Sequence, residues 1–101
     1  MTFGRYLKAI RESQRIPLEK VAHEVRITTA QLSRVESEDH DRMPEPVYTI
    51  GILRTYAKLV GADPDDIVDR YKIDRAAHEQ SALAEARILN SGRNAMPRML
   101  L

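Results

Sequence analysis

The chain has no cysteine and no tryptophan, and its 101 residues include only four glycines, four tyrosines and one phenylalanine. Without thiols there are no disulfides, thiolate metal centres or cysteine nucleophiles, and a reducing compartment fits. With so few glycines there is no glycine-rich loop to cradle a phosphate. Nowhere do the roughly 18 apolar residues of a membrane helix follow one another. Met1 to Gln14 mixes apolar residues with Arg5, Lys8, Arg11 and Glu12, so nothing there resembles a signal peptide. β-Alternation and internal repeats are also lacking. These absences predict a soluble, cytoplasmic, all-α protein.

Apolar residues make up 43% and charged residues 31%, enough for the single core of one small domain. A chain of this size buries about two-thirds of its unfolded surface and is too small for a deep catalytic cleft. Net charge is +1, but it is unevenly spread. Residues 1–34 carry seven Lys or Arg against three Glu (+4), residues 35–69 nine acids against three bases (−6), and the remainder six bases against three acids (+3). Either the domain has one basic and one acidic face, or a solvated surface shows chance clustering.

Apolar spacing predicts the helices. Phe3, Leu7 and Ile10 mark a first helix to Gln14, with Thr2 as its cap. Pro17 separates it from a short second helix with Leu18, Val21, Ala22 and Val25 on one stripe. Thr28 followed by Gln31 is a capping-box pattern, opening a third helix with Leu32 and Val35 inward. SEDHDRMPEP, residues 37–46, reads as a loop. Val47, Ile50, Leu53, Ala57 and Val60 then give a fourth helix ending at Gly61, and DPDD at 63–66 opens a fifth through about Tyr71. A weaker helix spans 74–90, with Leu83, Ala84, Ile88 and Leu89 on a ragged stripe and Gly92 as its stop. The expected division is a domain over 1–72, an accessory helix over 73–91 and a flexible tail over 92–101.

LEKVAHEVRITTAQLSRVE, residues 18–36, therefore reads as two short helices packed through Val21, Ala22, Val25, Leu32 and Val35, a helix-turn-helix. In that geometry the start of the third helix faces base edges in a major groove. Thr28, Thr29, Gln31 and Arg34 are the candidates for base contact, and Lys20 and Arg26 for phosphate contact. Arg5, Lys8 and Arg11 add further positive charge. Against this, Glu36, Glu38, Asp39 and Asp41 follow the recognition helix directly and repel a phosphate strand if the loop folds toward it. The plainer alternative is a helical hairpin with a polar outer side.

The stretches FGRYLKAIRE, PLEKVAHEVRITTAQLSRVE and MPEPVYTIGILRTYAKLVGADPDDI resemble the Cro and lambda-repressor-like (XRE) helix-turn-helix superfamily. Within it the chain is similar to the cytoplasmic N-terminal domain of RodZ-type bacterial cell-shape proteins, over about residues 3–71. The resemblance implies a five-helix domain and two kinds of partner. Some relatives bind double-stranded DNA as transcription regulators, whereas RodZ-type proteins dock on the actin-like protein MreB and are anchored by a following membrane helix. RNAMPRMLL at 93–101 reads as the approach to such a span, at the cytoplasmic face of the inner membrane, or as the end of a soluble chain. Where DNA-binding relatives favour glycine in the turn and glutamine opening the second helix, this chain has Arg26 and Leu18.

For docking, Tyr48 and Tyr56 lie within about 80° of each other on a helix and form an aromatic patch with Ile52 if they are exposed. Otherwise one or both close the core. His23, His40 and His78 are scattered, and Asp63, Asp65 and Asp66 suit helix capping better than acid–base chemistry or calcium. The expectation is a non-enzymatic module without cofactor or metal. It binds duplex DNA, with a homodimer supplying specificity through residues 74–90, or it docks on an MreB-like partner.

Overall fold

The structure is a computed structural model and describes the backbone of residues 1–100 and the side chains of residues 1–89. Five helices follow one another: α1 (Phe3–Ser13), α2 (Leu18–Val25), α3 (Thr29–Glu36), α4 (Pro46–Val60) and α5 (Pro64–Leu100). A short 3-10 turn, His40–Arg42, interrupts the loop before α4. Among the described residues there is no strand, and the expected all-α, five-helix domain is what forms.

The core collects one stripe from each helix: Phe3 and Leu7, Val21 and Ala22, Leu32 and Val35, Leu53 and Ala57, Ile67 and Tyr71. Burying each large apolar side chain contributes about 1.5–3 kcal/mol before the entropy of ordering is subtracted. The predicted signals act where they were expected at three helix ends. Thr28 and Gln31 close the capping box of α3 in both directions, Gly61 ends α4 with φ +80°, and the Asp63 carboxylate accepts from Asp65 N at 3.0 Å.

Four expectations need correction. Thr2 makes no side-chain cap on α1; the Glu38 carboxylate accepts from Gly4 N instead, at 3.1 Å. Val47 is exposed, because the buried arc of α4 is rotated toward Thr49, Ile52 and Tyr56, and Thr49 hides its hydroxyl on the Pro44 carbonyl at 2.8 Å. The accessory helix is continuous with α5, since no proline or glycine stands between Tyr71 and Asp74 to break it. Leu83, Ile88 and Leu89 on that extension are exposed. Nor does the helix stop at Gly92, since α5 runs on to Leu100.

One polar cluster sits inside the core. The Arg11 guanidinium grips the Glu36 carboxylate with two bonds, Nε to Oε2 at 2.8 Å and Nη2 to Oε1 at 3.1 Å, while Nη1 donates to the Ile16 carbonyl at 2.9 Å. The Tyr56 hydroxyl donates to the same carboxylate and accepts from Arg11 Nε. Burial first, and then its bond to Glu36, push the Tyr56 hydroxyl well above the usual phenol range, so it stays a neutral donor. The bond to Glu36 likewise holds Arg11 in its charged form against the cost of burial.

Above this cluster α1 and α3 approach closely. A Cβ at Gly4 would stand 2.3 Å from the Glu36 carbonyl oxygen, so only glycine fits there.

Two predictions follow from the packing. Arg11→Ala leaves the Glu36 carboxylate buried without its cation and should lower the unfolding free energy by about 3–5 kcal/mol, whereas Tyr56→Phe should cost about 1–3 kcal/mol. Urea unfolding monitored by circular dichroism measures both, and a loss below about 1 kcal/mol for Arg11→Ala would show that the ion pair is not internal. In the turn after α2, Arg26 holds φ +61°, a conformation that disfavours side chains. Arg26→Gly should therefore raise stability by up to about 1 kcal/mol in the same assay, and a drop would contradict the left-handed turn.

Candidate nucleic-acid interface

The turn between α2 and α3 is built from three residues with distinct tasks. Arg26 reverses the chain in the left-handed region, and Ile27 N closes α2 by donating to the Ala22 carbonyl at 3.1 Å. Ile27 packs partly on the core, which fixes the angle at which α3 departs. Thr28 is extended (φ −72°, ψ 153°) and caps α3 through its hydroxyl, which accepts from Gln31 N at 3.1 Å.

From this start α3 turns Leu32, Val35 and Glu36 inward and leaves Thr28, Ala30, Ser33, Arg34 and Ser37 exposed. Thr29 and Gln31 are half-buried. The Gln31 side-chain oxygen accepts from Thr28 N at 3.2 Å, so only its amide NH2 faces a ligand freely. Arg26 and Arg34 are exposed and in no ion pair among the described residues. Lys20 is exposed and lines a groove with Ile16, Val21, Glu24 and Leu59. Arg11 is removed from the surface altogether by its bond to Glu36.

The acids that follow α3 are each engaged elsewhere. Glu36 is inside, on Arg11 and Tyr56. Glu38 bends back through φ +61° to the amino end of α1, where the helix dipole offsets its charge. Asp39 lies 3.9 Å from Arg42, and Asp41 lies 3.1 Å from His78 on α5. Each of these carboxylates thus has a partner of its own, and Asp39 stays beside the end of α3, its N donating to the Arg34 carbonyl at 3.0 Å.

The docking patch expected on α4 does not form. Tyr48 is 66% exposed, but Ile52 is buried and Tyr56 is fully buried. The two tyrosines fall on opposite sides of the edge of the buried arc, and Tyr56 is held inside by Glu36 and Arg11. What remains at the start of α4 is a smaller exposed pair, Val47 and Tyr48.

Sequence spacing gave no sign of a meeting between His40 and His78. Their rings stack at 5.0 Å, and each bonds to an aspartate on the opposite element: His40 Nε2 to Asp74 at 2.6 Å, His78 Nε2 to Asp41 at 3.1 Å. The crossed pairs fasten the 3-10 turn to α5, 34 and 37 residues away. Among the described residues, no group of three or more histidines and carboxylates is placed to hold a metal ion. Nor is any helix among them long and apolar enough to cross a membrane.

Comparison with known proteins places this geometry. The chain is 31% identical over 70 residues to the cytoskeleton protein RodZ of Streptococcus pneumoniae, a match that covers 69% of this chain. It spans about a quarter, 25%, of the length of that relative. No solved structure matches. Residues 6–67 match the helix-turn-helix domain family, and that interval holds α2, the Arg26–Thr28 turn, α3 and the buried Arg11–Glu36–Tyr56 cluster. With more than half of its length inside that match and the turn built as described, the chain belongs to the helix-turn-helix domain family.

Proposed function

We propose that this domain binds duplex DNA through α3, as a non-catalytic module of a small transcription regulator. One observation carries the reading: the strip from Arg26 to Arg34 is solvent-facing and cationic, because Glu36 and Glu38 are drawn inward and the next acids pair elsewhere. An α-helix about 10–12 Å across fits a major groove about 12 Å wide, with its first residues against base edges. Thr28, Thr29, Gln31 and Arg34 supply those contacts. With its oxygen occupied, Gln31 acts as a donor to O6, O4 or N7 acceptors rather than as a two-way reader of adenine. Arg26 takes a phosphate, and its strained backbone is consistent with a residue kept for its side chain. One such helix covers little surface, so useful specificity calls for two copies on one site.

Arg34→Ala should weaken duplex binding by about 1–3 kcal/mol and relax sequence preference, read by fluorescence anisotropy with a selected duplex. Equal affinity in wild type and variant would remove Arg34 from the contact set.

A second reading is favoured by the similarity to RodZ and by the exposed Val47 and Tyr48 at the start of α4. In it the domain docks on an MreB-like filament. Tyr48→Ala should then reduce co-sedimentation with MreB while Arg34→Ala leaves it intact. Undiminished co-sedimentation of Tyr48→Ala would sink this docking site.

A further inference from the structure

We infer that the groove between α1 and α3 seats a backbone phosphate of the bound duplex, held by Arg5 and Lys8 of α1 with the Ser33 and Ser37 hydroxyls of α3. The inference rests on the DNA-binding reading above and adds a second flank to its contact surface.

These four residues line one groove together with Glu36 and Glu38. Arg5 and Lys8 stand one turn apart on α1, and Ser33 and Ser37 one turn apart on α3, all four exposed. Arg5 has no ion-pair partner among the described residues. Lys8 has only Glu12, at 3.9 Å with both side chains more than half exposed (56% and 57%), a contact weak enough to exchange for a phosphate. The Ser37 hydroxyl donates to the Arg34 carbonyl at 3.2 Å, an exposed bond that it exchanges to donate to a phosphate oxygen.

The two carboxylates in the groove do not cancel these cations. Glu36 is matched by the Arg11 guanidinium. Glu38 accepts from Gly4 N at the positive end of α1, which offsets roughly half a charge. What is left is a net positive notch with two hydroxyl groups in reach, the usual equipment for a phosphate.

Its position suits the duplex. A helix lying in the major groove has a sugar–phosphate strand along each flank. Arg26 stands in the turn joining α3 to α2, and the notch stands on the α1 side, beside Ser33 and next to Arg34 in the chain. Arg26 thus precedes α3 and the notch adjoins its carboxyl half, so the two cationic places stand at opposite ends of the helix. A notch of this kind also suits an anionic lipid headgroup, but the adjoining strip of Arg26, Thr28 and Arg34 favours a duplex over a flat surface.

The test measures duplex affinity against potassium chloride concentration for the whole chain and the double variant Arg5→Gln/Lys8→Gln. Each phosphate contact contributes about 0.9 to the slope of log affinity against log salt, so the variant should lose about 1.8 of slope and keep its rank order of sequences. A control, Lys58→Gln/Lys72→Gln, removes the same charge from exposed places on α4 and α5 and should leave the slope nearly unchanged. Thermal unfolding of the variants by circular dichroism checks that all fold alike. An unchanged slope for Arg5→Gln/Lys8→Gln, or an equal loss in the control, overturns the phosphate seat while the DNA reading stands. Loss of binding to phosphatidylglycerol vesicles with duplex binding unaltered overturns it in favour of lipid. If wild type binds no duplex even at low salt, the DNA reading falls and the seat with it.

Discussion

A buried carboxylate needs a charge partner, and in this domain the Glu36–Arg11 pair sets the charge pattern of everything around it. Arg11 comes from α1, Glu36 from the last residue of α3, and Tyr56 from the middle of α4, so the cluster fastens three helices at one point. It also decides what the surface carries. An acid that would have ended the recognition helix in solvent is inside, and a base that would have joined the outer positive charge is inside with it. Gly4 allows the approach, since any side chain there would collide with the Glu36 carbonyl. The same approach brings Glu38 onto the amino end of α1. Positive charge left outside then outweighs negative charge along α3.

The distal half of the molecule is tied to this arrangement by a second polar device. The crossed His40–Asp74 and His78–Asp41 pairs hold the 3-10 turn against α5, and of the acids after α3 they draw Asp41 toward α5. Just before that fastening α5 exposes Ile73, and beyond it Leu83, Ile88 and Leu89. The chain's similarity to a quarter of the length of a cytoskeleton protein and the exposed polar face of α3 underlie the two proposed readings. The proposed DNA contact rests on the exposed α3 residues, and the proposed docking contact on the smaller Val47–Tyr48 pair.

Local signals were legible in the sequence and long-range polar contacts were not. Thr28–Gln31, Gly61 and Asp63 act within a turn of themselves, so residue type and spacing suffice to read them. Apolar period, with Pro17 and the Thr28–Gln31 capping box as boundaries, placed α1, α2 and α3 to within a residue or so. Tyr56 was ambiguous because a tyrosine eight residues from another sits at the margin of a helical stripe, and only the Glu36–Arg11 pair, 20 and 45 residues away, draws it in. Val47 was misplaced for the related reason that apolar period does not reveal a stripe rotated to admit Thr49. Thr2 looked like a cap, but Glu38 reached the same amide from 34 residues away. The break expected after Tyr71 was a change of composition without a helix breaker, and composition alone does not stop a helix. Of the candidate site, the α3 residues and Arg26 were readable from the motif. The removal of Arg11 and the inward turn of Glu36 depend on packing that no local pattern encodes.

The most direct test is a titration of the 15N-labelled chain with an unlabelled duplex, followed by amide chemical shifts. The account predicts that the changes concentrate at Arg26–Ser37 and at Arg5–Lys8, with Val47 and Tyr48 unmoved. Changes centred on the start of α4, or none on α3 while binding occurs, would contradict it.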